Sequence, residues 1–151
     1  MVRRRVEIRQ LEADPCLIWN EFVDLLAMSD LEELSAVQRI AHLAFWYDSE
    51  VQNGGHLQYF ENQGMQHADE AIESLLKMGA ECQAVVLRRA TARYGSKSRA
   101  RIESVADYVK TALKGEFDDL DQAYCGCVPT VSDRLETYLA SNENEFIERV
   151  G

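Results

Sequence analysis

The sequence predicts one compact all-α domain spanning residues 1–151, with about six to eight helices in orthogonal or bundle-like packing. Apolar residues recur at helical three- and four-residue spacing along nearly the whole chain, whereas the two-residue alternation of strands appears only at 6–9. The length of 151 residues suits one ordinary domain, and 46% hydrophobic with 28% charged residues is a globular composition. No repeat or linker divides the chain.

The first two helices are predicted from their caps and apolar stripes. Asp14-Pro15 offers a cap followed by a proline at the first helical position, and the stripe within 18–26 then forms a first helix. Ser29 or Asp30 can cap a second helix, with Glu32 or Glu33 at capping-box spacing. The apolar arc of that helix over 34–45 is wide, which indicates a central position.

Glycines punctuate the middle of the chain. Asn53-Gly54-Gly55 is predicted to end the second helix, because glycine adopts the left-handed conformation that a helix C-terminus requires. A short helix over 56–63 is then closed by Gly64. The apolar stripe over 68–76 predicts a further helix ending at Gly79, and another helix is expected over about 81–94.

The C-terminal third is predicted to hold three more helical segments. Ser98 caps a helix whose face over 102–113 points inward and which Gly115 stops. Residues 117–124 form one or two helical turns, and 125–129 form a turn because Pro129 disfavours helix before it. Ser132 caps the last helix, which breaks at 141–144 before Phe146 and Ile147 dock a final turn. Residues 1–12 are an N-terminal extension.

Composition also bears on compartment. No apolar run approaches the ~20 residues of a membrane span, and the basic opening 1–9 lacks the apolar stretch of a secretory signal. We therefore expect a cytoplasmic protein without membrane contact. Cys16, Cys82, Cys125 and Cys127 are expected to be reduced thiols, with no structural disulfide.

Net charge limits the class of partner. The formal charge of −10 argues against direct DNA or RNA binding, which usually requires a basic face. The imbalance is uneven: residues 10–87 hold 14 acids and 2 bases, residues 115–151 hold 9 and 2, and the basic block at 88–114 reverses the sign with 8 bases and 2 acids. These charges could also be ordinary solvated helix faces paired across the fold.

No pattern of catalytic or metal-ligating residues emerges. Hydrolase, metalloprotease and nucleotide-binding motifs are absent, and Cys125 and Cys127 have no second pair to complete a zinc site. His56 follows the Gly-Gly turn, where it could be a neutral base or donor at a helix N-terminus, although a packing role is more common. We expect a non-enzymatic protein with no catalytic residues, no metal and no cofactor.

Residues 50–64 carry a demanding motif, which includes Glu50, Val51, Asn53, Gly54, Gly55, Gln58, Tyr59, Phe60, Asn62 and Gly64. In these residues, and in further matches over 68–80 and 117–146, the chain resembles a widespread bacterial family of unknown function named after an acidic DNA mimic protein. The resemblance covers about residues 45–147. His56 departs from it, because the family prefers an aromatic residue there.

We interpret the motif as structural. The amides of Asn53, Gln58 and Asn62 can satisfy backbone groups left open between two broken helices, while Tyr59 and Phe60 anchor the break in the core. Buried amides must be fully hydrogen-bonded, so a demanding motif arises without catalysis.

The resemblance implies an acidic, dimeric helical protein whose carboxylates occupy the DNA-binding surface of a regulator or another DNA-binding protein. The candidate partner-binding residues are Asp48, Glu50, Glu61, Asp69, Glu70, Glu73, Glu116, Asp118, Asp119 and Asp121. The basic block restricts mimicry to one side; it also suits neutralisation within a dimer or an acidic partner. Two alternatives remain: an immunity or antitoxin-type inhibitor of a basic toxin or nuclease, and an enzyme using His56 with nearby carboxylates.

Overall fold

The computed structural model describes all residues 1–151 and confirms the predicted all-α class. Eight α-helices are accompanied by one 3-10 helix and two short strands. In chain order the elements are β1 (Arg4–Glu7), α1 (Ile8–Ala13), α2 (Leu17–Met28), the 3-10 helix (Leu31–Glu33), α3 (Ala36–Gln63), α4 (Ala68–Lys77), α5 (Glu81–Tyr94), α6 (Val105–Ala112), α7 (Asp118–Cys125), α8 (Val131–Phe146) and β2 (Ile147–Val150). None of the helices combines the length and apolarity needed to cross a membrane.

Helix α3 is the centre of the fold and packs against α2, α4, α7 and α8. It begins five or six residues later than predicted, because Ser35 rather than Ser29 or Asp30 is its N-cap. The Ser35 hydroxyl accepts from the Gln38 backbone N–H, and the Gln38 side chain accepts from the Ser35 N–H, which completes a capping box. Glu32 and Glu33 instead lie in the 3-10 helix.

The predicted break at Asn53-Gly54-Gly55 is confirmed. Gly54 and Gly55 have non-helical backbone angles, and Gly55 has a φ of 75°. The break divides α3 into a first arm (36–53) and a second arm (56–63), and Gly64 closes the second arm with a φ of 68°. The helices predicted at 68–76 and 81–94 are also confirmed as α4 and α5, with Gly79 between them.

The chain ends differ from the prediction. Residues 1–12 do not form a separate extension, because β1 pairs in parallel with β2 in the register Arg4 to Ile147. Val6 is buried, and the buried Gln38 amide donates to the carbonyls of Val2 and Glu145. The prediction of a final helical turn at 146–147 is wrong, since β2 begins at Ile147. The two terminal strands therefore contribute Val6 and Ile147 to the core.

Two further cap predictions were wrong. Thr130, not Ser132, caps α8 through a capping box with Asp133. The predicted break at 141–144 is only a kink at Asn142, and the helix continues to Phe146. Similarly, Ser104 rather than Ser98 caps α6, because residues 98–104 are not helical.

The apolar face of α6 points outward, so the prediction that it points inward is wrong. No residue of α6 is buried, and Val105 and Leu113 are each 82% exposed. Helical periodicity identifies an apolar stripe but does not identify what covers it. In this structure the stripe at Val105, Val109 and Leu113 faces outward.

The expectation that all cysteines are reduced was also wrong. Cys82 at the start of α5 forms a disulfide with Cys127, 45 residues along the chain, while Cys16 and Cys125 are free and exposed. The nearby Gln83 amide donates to the Pro129 carbonyl at 2.7 Å. Tertiary packing of α5 against the 125–129 turn sets this pairing, and sequence spacing does not reveal it.

The break in α3 predicts a specific sensitivity at Gly55. In Gly55→Ala, the alanine would have to keep the positive φ of 75°. Its Cβ would also lie 2.4 Å from Asp121 Oδ2. We expect a loss of at least about 1–2 kcal/mol in the free energy of unfolding. Chemical denaturation measures it. Gly126→Ala is the control, because the φ of Gly126 is −83° and the atom nearest to an added Cβ is 3.6 Å away. Equal losses of stability in the two variants would contradict the special sensitivity of Gly55.

Candidate functional site: an acidic surface around a broken helix

A buried carboxylate joins the two arms of α3. Glu50 on the first arm is only 7% exposed. On the second arm, Gln58 Nε2 and Asn62 Nδ2 donate to Glu50 Oε2 at 2.8 and 2.9 Å, and Gln63 Nε2 donates to Oε1 at 3.4 Å. We call these four residues the Glu50 cluster. The prediction that Glu50 lies on a partner-binding surface is therefore wrong.

The motif amides act differently from the prediction. Gln58 and Asn62 bind the Glu50 carboxylate instead of open backbone groups, and Asn53 is exposed. Gln58 also explains why residue 54 is a glycine, because a Cβ at that position would lie 2.0 Å from Gln58 Oε1. Tyr59 and Phe60 are buried in the core cluster, as predicted.

His56 lies in a second buried polar cluster. Its side chain is 0% exposed, its Nδ1 lies 2.6 Å from Asp121 Oδ1, and its backbone N–H donates to the same oxygen at 2.9 Å. The Tyr47 hydroxyl lies 2.8 Å from His56 Nε2. Burial raises the pKa of Tyr47 well above its usual value, so the phenol keeps its proton in this contact.

This geometry gives His56 a positioning role. The imidazole fixes the Asp121 carboxylate of α7 against the start of the second arm, and it has no surface that a solute can reach. The small cavity of about 120 Å³ beside Asp121 is lined by residues that include Gly54, Glu116 and Asp118, but not by His56. No group of three or more His, Cys, Asp or Glu side chains is arranged to hold a metal ion.

The acids at 116–121 are largely neutralised within the chain. Arg99 binds Glu116 through Nη1 and Nη2 at 2.8 and 2.6 Å, and Arg93 binds Asp119 through Nη1 and Nη2 at 2.5 and 3.0 Å. The Arg93 hydrogen bonds lower the pKa of Asp119 to about 2. Asp118 alone in this stretch is exposed without an ion pair.

The acids at 48–73 are divided between internal and free positions. Asp48 accepts hydrogen bonds from the Tyr124 hydroxyl and the Gln52 amide. Arg39 donates to the Glu70 carboxylate through Nε and Nη2. Hydrogen bonding to Arg39 lowers the pKa of Glu70. Glu61 is exposed and meets only the Tyr94 hydroxyl, at 3.4 Å.

Asp69 and Glu73 are the clearest free carboxylates among the predicted residues. Both are exposed, neither takes part in an ion pair, and they lie one turn apart on α4, about 6 Å along the helix axis. Glu32 was missed as a member of this surface because its spacing suggested a capping box. In the structure Glu32 is close to Arg39: the pKa of Arg39 is raised first by its hydrogen bond to Glu70 and further by the charge of Glu32. We call Glu32, Asp69, Glu70 and Glu73 the α4 acidic surface.

Comparison with known proteins gives one family. A model described as DMP19-like protein matches residues 32–142, a range that begins earlier than the 45–147 inferred from the motif. No curated protein and no solved structure matches the chain.

The role of His56 and Asp121 predicts a stability effect. Asp121→Ala would leave the His56 backbone N–H and Nδ1 without their acceptor, so we expect the free energy of unfolding to fall by about 1–3 kcal/mol. Gln122→Ala, on the exposed side of the same helix, should change it by less than about 0.5 kcal/mol. Denaturant titration followed by circular dichroism compares the two, and equal values would refute the positioning role.

Proposed function

The chain belongs to the DMP19-like protein family, and from that premise we propose that it is a DNA mimic that binds the DNA-binding surface of another protein. Carboxylates on its surface would take the places of phosphates on the Lys and Arg side chains of that partner. We propose that the α4 acidic surface makes this contact.

One observation carries the choice of surface. The two acidic stretches differ in how far the chain itself neutralises them. Arg93, Lys97 and Arg99 of the basic block already pair with Glu116 and Asp119, whereas Asp69 and Glu73 have no basic neighbour in contact. A partner built for DNA is attracted to unpaired carboxylates and repelled by the unpaired bases of the block.

The same logic supports the one-sided character of the mimicry. Arg88, Arg89, Lys110 and Lys114 are exposed and unpaired, so the basic block presents free positive charge. The proposed complex should form quickly at low salt and weaken as salt rises, because the attraction between exposed charges is screened. A basic toxin would meet the same surface, which makes the immunity role the second candidate.

A cytoplasmic location follows from the proposed partner, because DNA-binding regulators act where the genome is. The Cys82–Cys127 disulfide argues against a cytoplasmic location, since stable disulfides are rare in that compartment. The disulfide joins the start of α5 to the 125–129 turn, which the Gln83 hydrogen bond to Pro129 also holds.

We also propose a homodimer that uses the outward face of α6. Val105, Val109 and Leu113 form an exposed apolar stripe that no other element of the chain covers. Such stripes on soluble domains usually mark contact surfaces. The proposed dimer contact and the α4 acidic surface share no residue.

The proposed function predicts the effect of removing charge from α4. The double variant Asp69→Asn and Glu73→Gln should lower the salt concentration at which a captured DNA-binding protein elutes, because two phosphate substitutes are lost. Affinity capture from host lysate at low salt, with salt-gradient elution and competition by duplex DNA, measures this.

The control is Glu136→Gln together with Glu81→Gln, two exposed acids outside the α4 acidic surface. Their elution should match that of the unaltered protein. Capture of a toxin that DNA does not displace would favour the immunity role, and equal elution of both double variants would refute the proposed surface.

The dimer predicts a change in assembly without a change in folding. Leu113→Lys should shift the protein to monomers in sedimentation velocity, because it places a charge in the proposed apolar contact. The side chain is 82% exposed, so we expect the free energy of unfolding of the monomer to stay unchanged. Val128→Lys is the matched control, at 81% exposed on another part of the surface; a dimer that survives Leu113→Lys would exclude this face.

A further inference from the structure

A polar cavity of about 220 Å³ opens beside the α4 acidic surface. It is enclosed by the 3-10 helix, both arms of α3 and the turn that leads into α4. The lining side chains that matter here are Glu32, His42, Trp46, Tyr59, Gln63 and His67. The break at Gly54 and Gly55 creates this cavity, because it brings Tyr59 and Gln63 of the second arm alongside His42 and Trp46 of the first.

His42 lines the cavity with an unused hydrogen-bonding atom. The residue is only 9% exposed, and its Nδ1 has no hydrogen-bond partner in the structure. When the proton of the neutral ring lies on Nε2, Nδ1 carries a lone pair that accepts a hydrogen bond. Burial lowers the pKa of His42, which favours this neutral form. A buried acceptor without a partner is uncommon and calls for a donor.

Glu32 supplies a free negative charge at the same cavity. It is exposed and forms no ion pair, because the nearby Arg39 gives both of its contacts to Glu70. The half-buried ring of Trp46 adds aromatic surface, and an aromatic ring attracts cations to its face. The cavity therefore combines the Glu32 carboxylate, the unpartnered Nδ1 of His42, the imidazole of His67, amide groups and the Trp46 ring.

This combination matches one common side chain. A guanidinium is planar, positively charged and carries five N–H donors in a fixed fork, so it can bond a carboxylate and a second acceptor while stacking on an aromatic ring. An ammonium is a strongly hydrated point charge that stacks less well. A guanidinium also fits easily within the cavity volume.

We propose that this cavity binds an arginine side chain, donated by the protein partner of the α4 acidic surface. The inference rests on the proposed function for the source of the arginine, but not for the chemistry of the site. Phosphate-binding surfaces are rich in arginine, and a buried arginine in a pocket is the kind of contact that dominates an interface. The α4 acidic surface would then attract the partner, and the cavity would fix its position.

The site can be tested without the partner. N-acetyl-L-arginine amide is titrated into the full-length protein, and the indole N–H signals of its two tryptophans are followed by NMR. The Trp46 signal should shift and saturate, while the Trp19 signal serves as an internal reference. N-acetyl-L-lysine amide should bind more weakly, and an equal response to it would overturn the assignment to guanidinium.

Glu32→Gln and Glu33→Gln are matched variants on the same 3-10 helix. Both side chains are exposed, so folding should be unaffected, but only Glu32 lines the cavity. We expect Glu32→Gln to weaken arginine amide binding roughly tenfold, since it removes a hydrogen bond to a charged group, and Glu33→Gln to change it less than about twofold. Equal effects of the two variants would overturn the site.

Capture of the partner separates this inference from the proposed function. Glu32→Gln should lower the retention of a DNA-binding protein, whereas Glu33→Gln should lower it less. If both variants retain that protein equally while the arginine amide is lost only from Glu32→Gln, the partner arginine is overturned and the DNA mimic stands. If the unaltered protein binds the arginine amide but captures no DNA-binding protein, the proposed function and the partner source fall together, and the guanidinium site remains.

Discussion

The Glu50 carboxylate is the interaction on which much of this structure depends. It is buried without a basic partner, which is costly unless every hydrogen bond to it is made. The amides of Gln58 and Asn62 make those bonds from the other side of the helix break. Each bond to a charged group contributes about 1.5–3 kcal/mol, so the cluster holds the two arms of α3 in one arrangement.

A second set of contacts fixes the break from outside. Asp121 of α7 accepts from the backbone and the ring of His56, and Tyr47 of the first arm reaches the other ring nitrogen. The left-handed Gly55 leaves no room for a side chain beneath Asp121. The residues that resemble active-site components are therefore occupied in holding a bend, and the bend in turn forms the walls of the cavity at His42.

Ion pairing divides the charges on the surface of the molecule into neutralised and free ones. Part of the basic block pairs with Glu116 and Asp119, and its Lys110 and Lys114 lie beside Val109 and Leu113 of the exposed apolar stripe. On α4, Asp69 and Glu73 have no counterion. Total charge alone does not predict this division, because an acidic protein with evenly paired charges would have the same net value of −10.

The sequence by itself determined the helical class, the glycine break, the bounds of α4 and α5 and the burial of Tyr59 and Phe60. These features follow from local periodicity and from the backbone freedom of glycine, which neighbouring residues express without help from the rest of the chain. The resemblance at 50–64 also led to the family. The cap positions were less well determined, because Ser29, Asp30 and Ser35 all have suitable side chains within one turn or two.

Only the tertiary structure decided which charges are free, which way α6 faces, and which cysteines pair. Glu50 and Asp69 are both acids on predicted helices, yet one is buried under amides and the other has no partner. The parallel pairing of β1 with β2 and the Cys82–Cys127 bond join segments far apart in the chain. Contacts of this kind depend on how whole elements pack, and local sequence pattern carries no record of the neighbour across the fold.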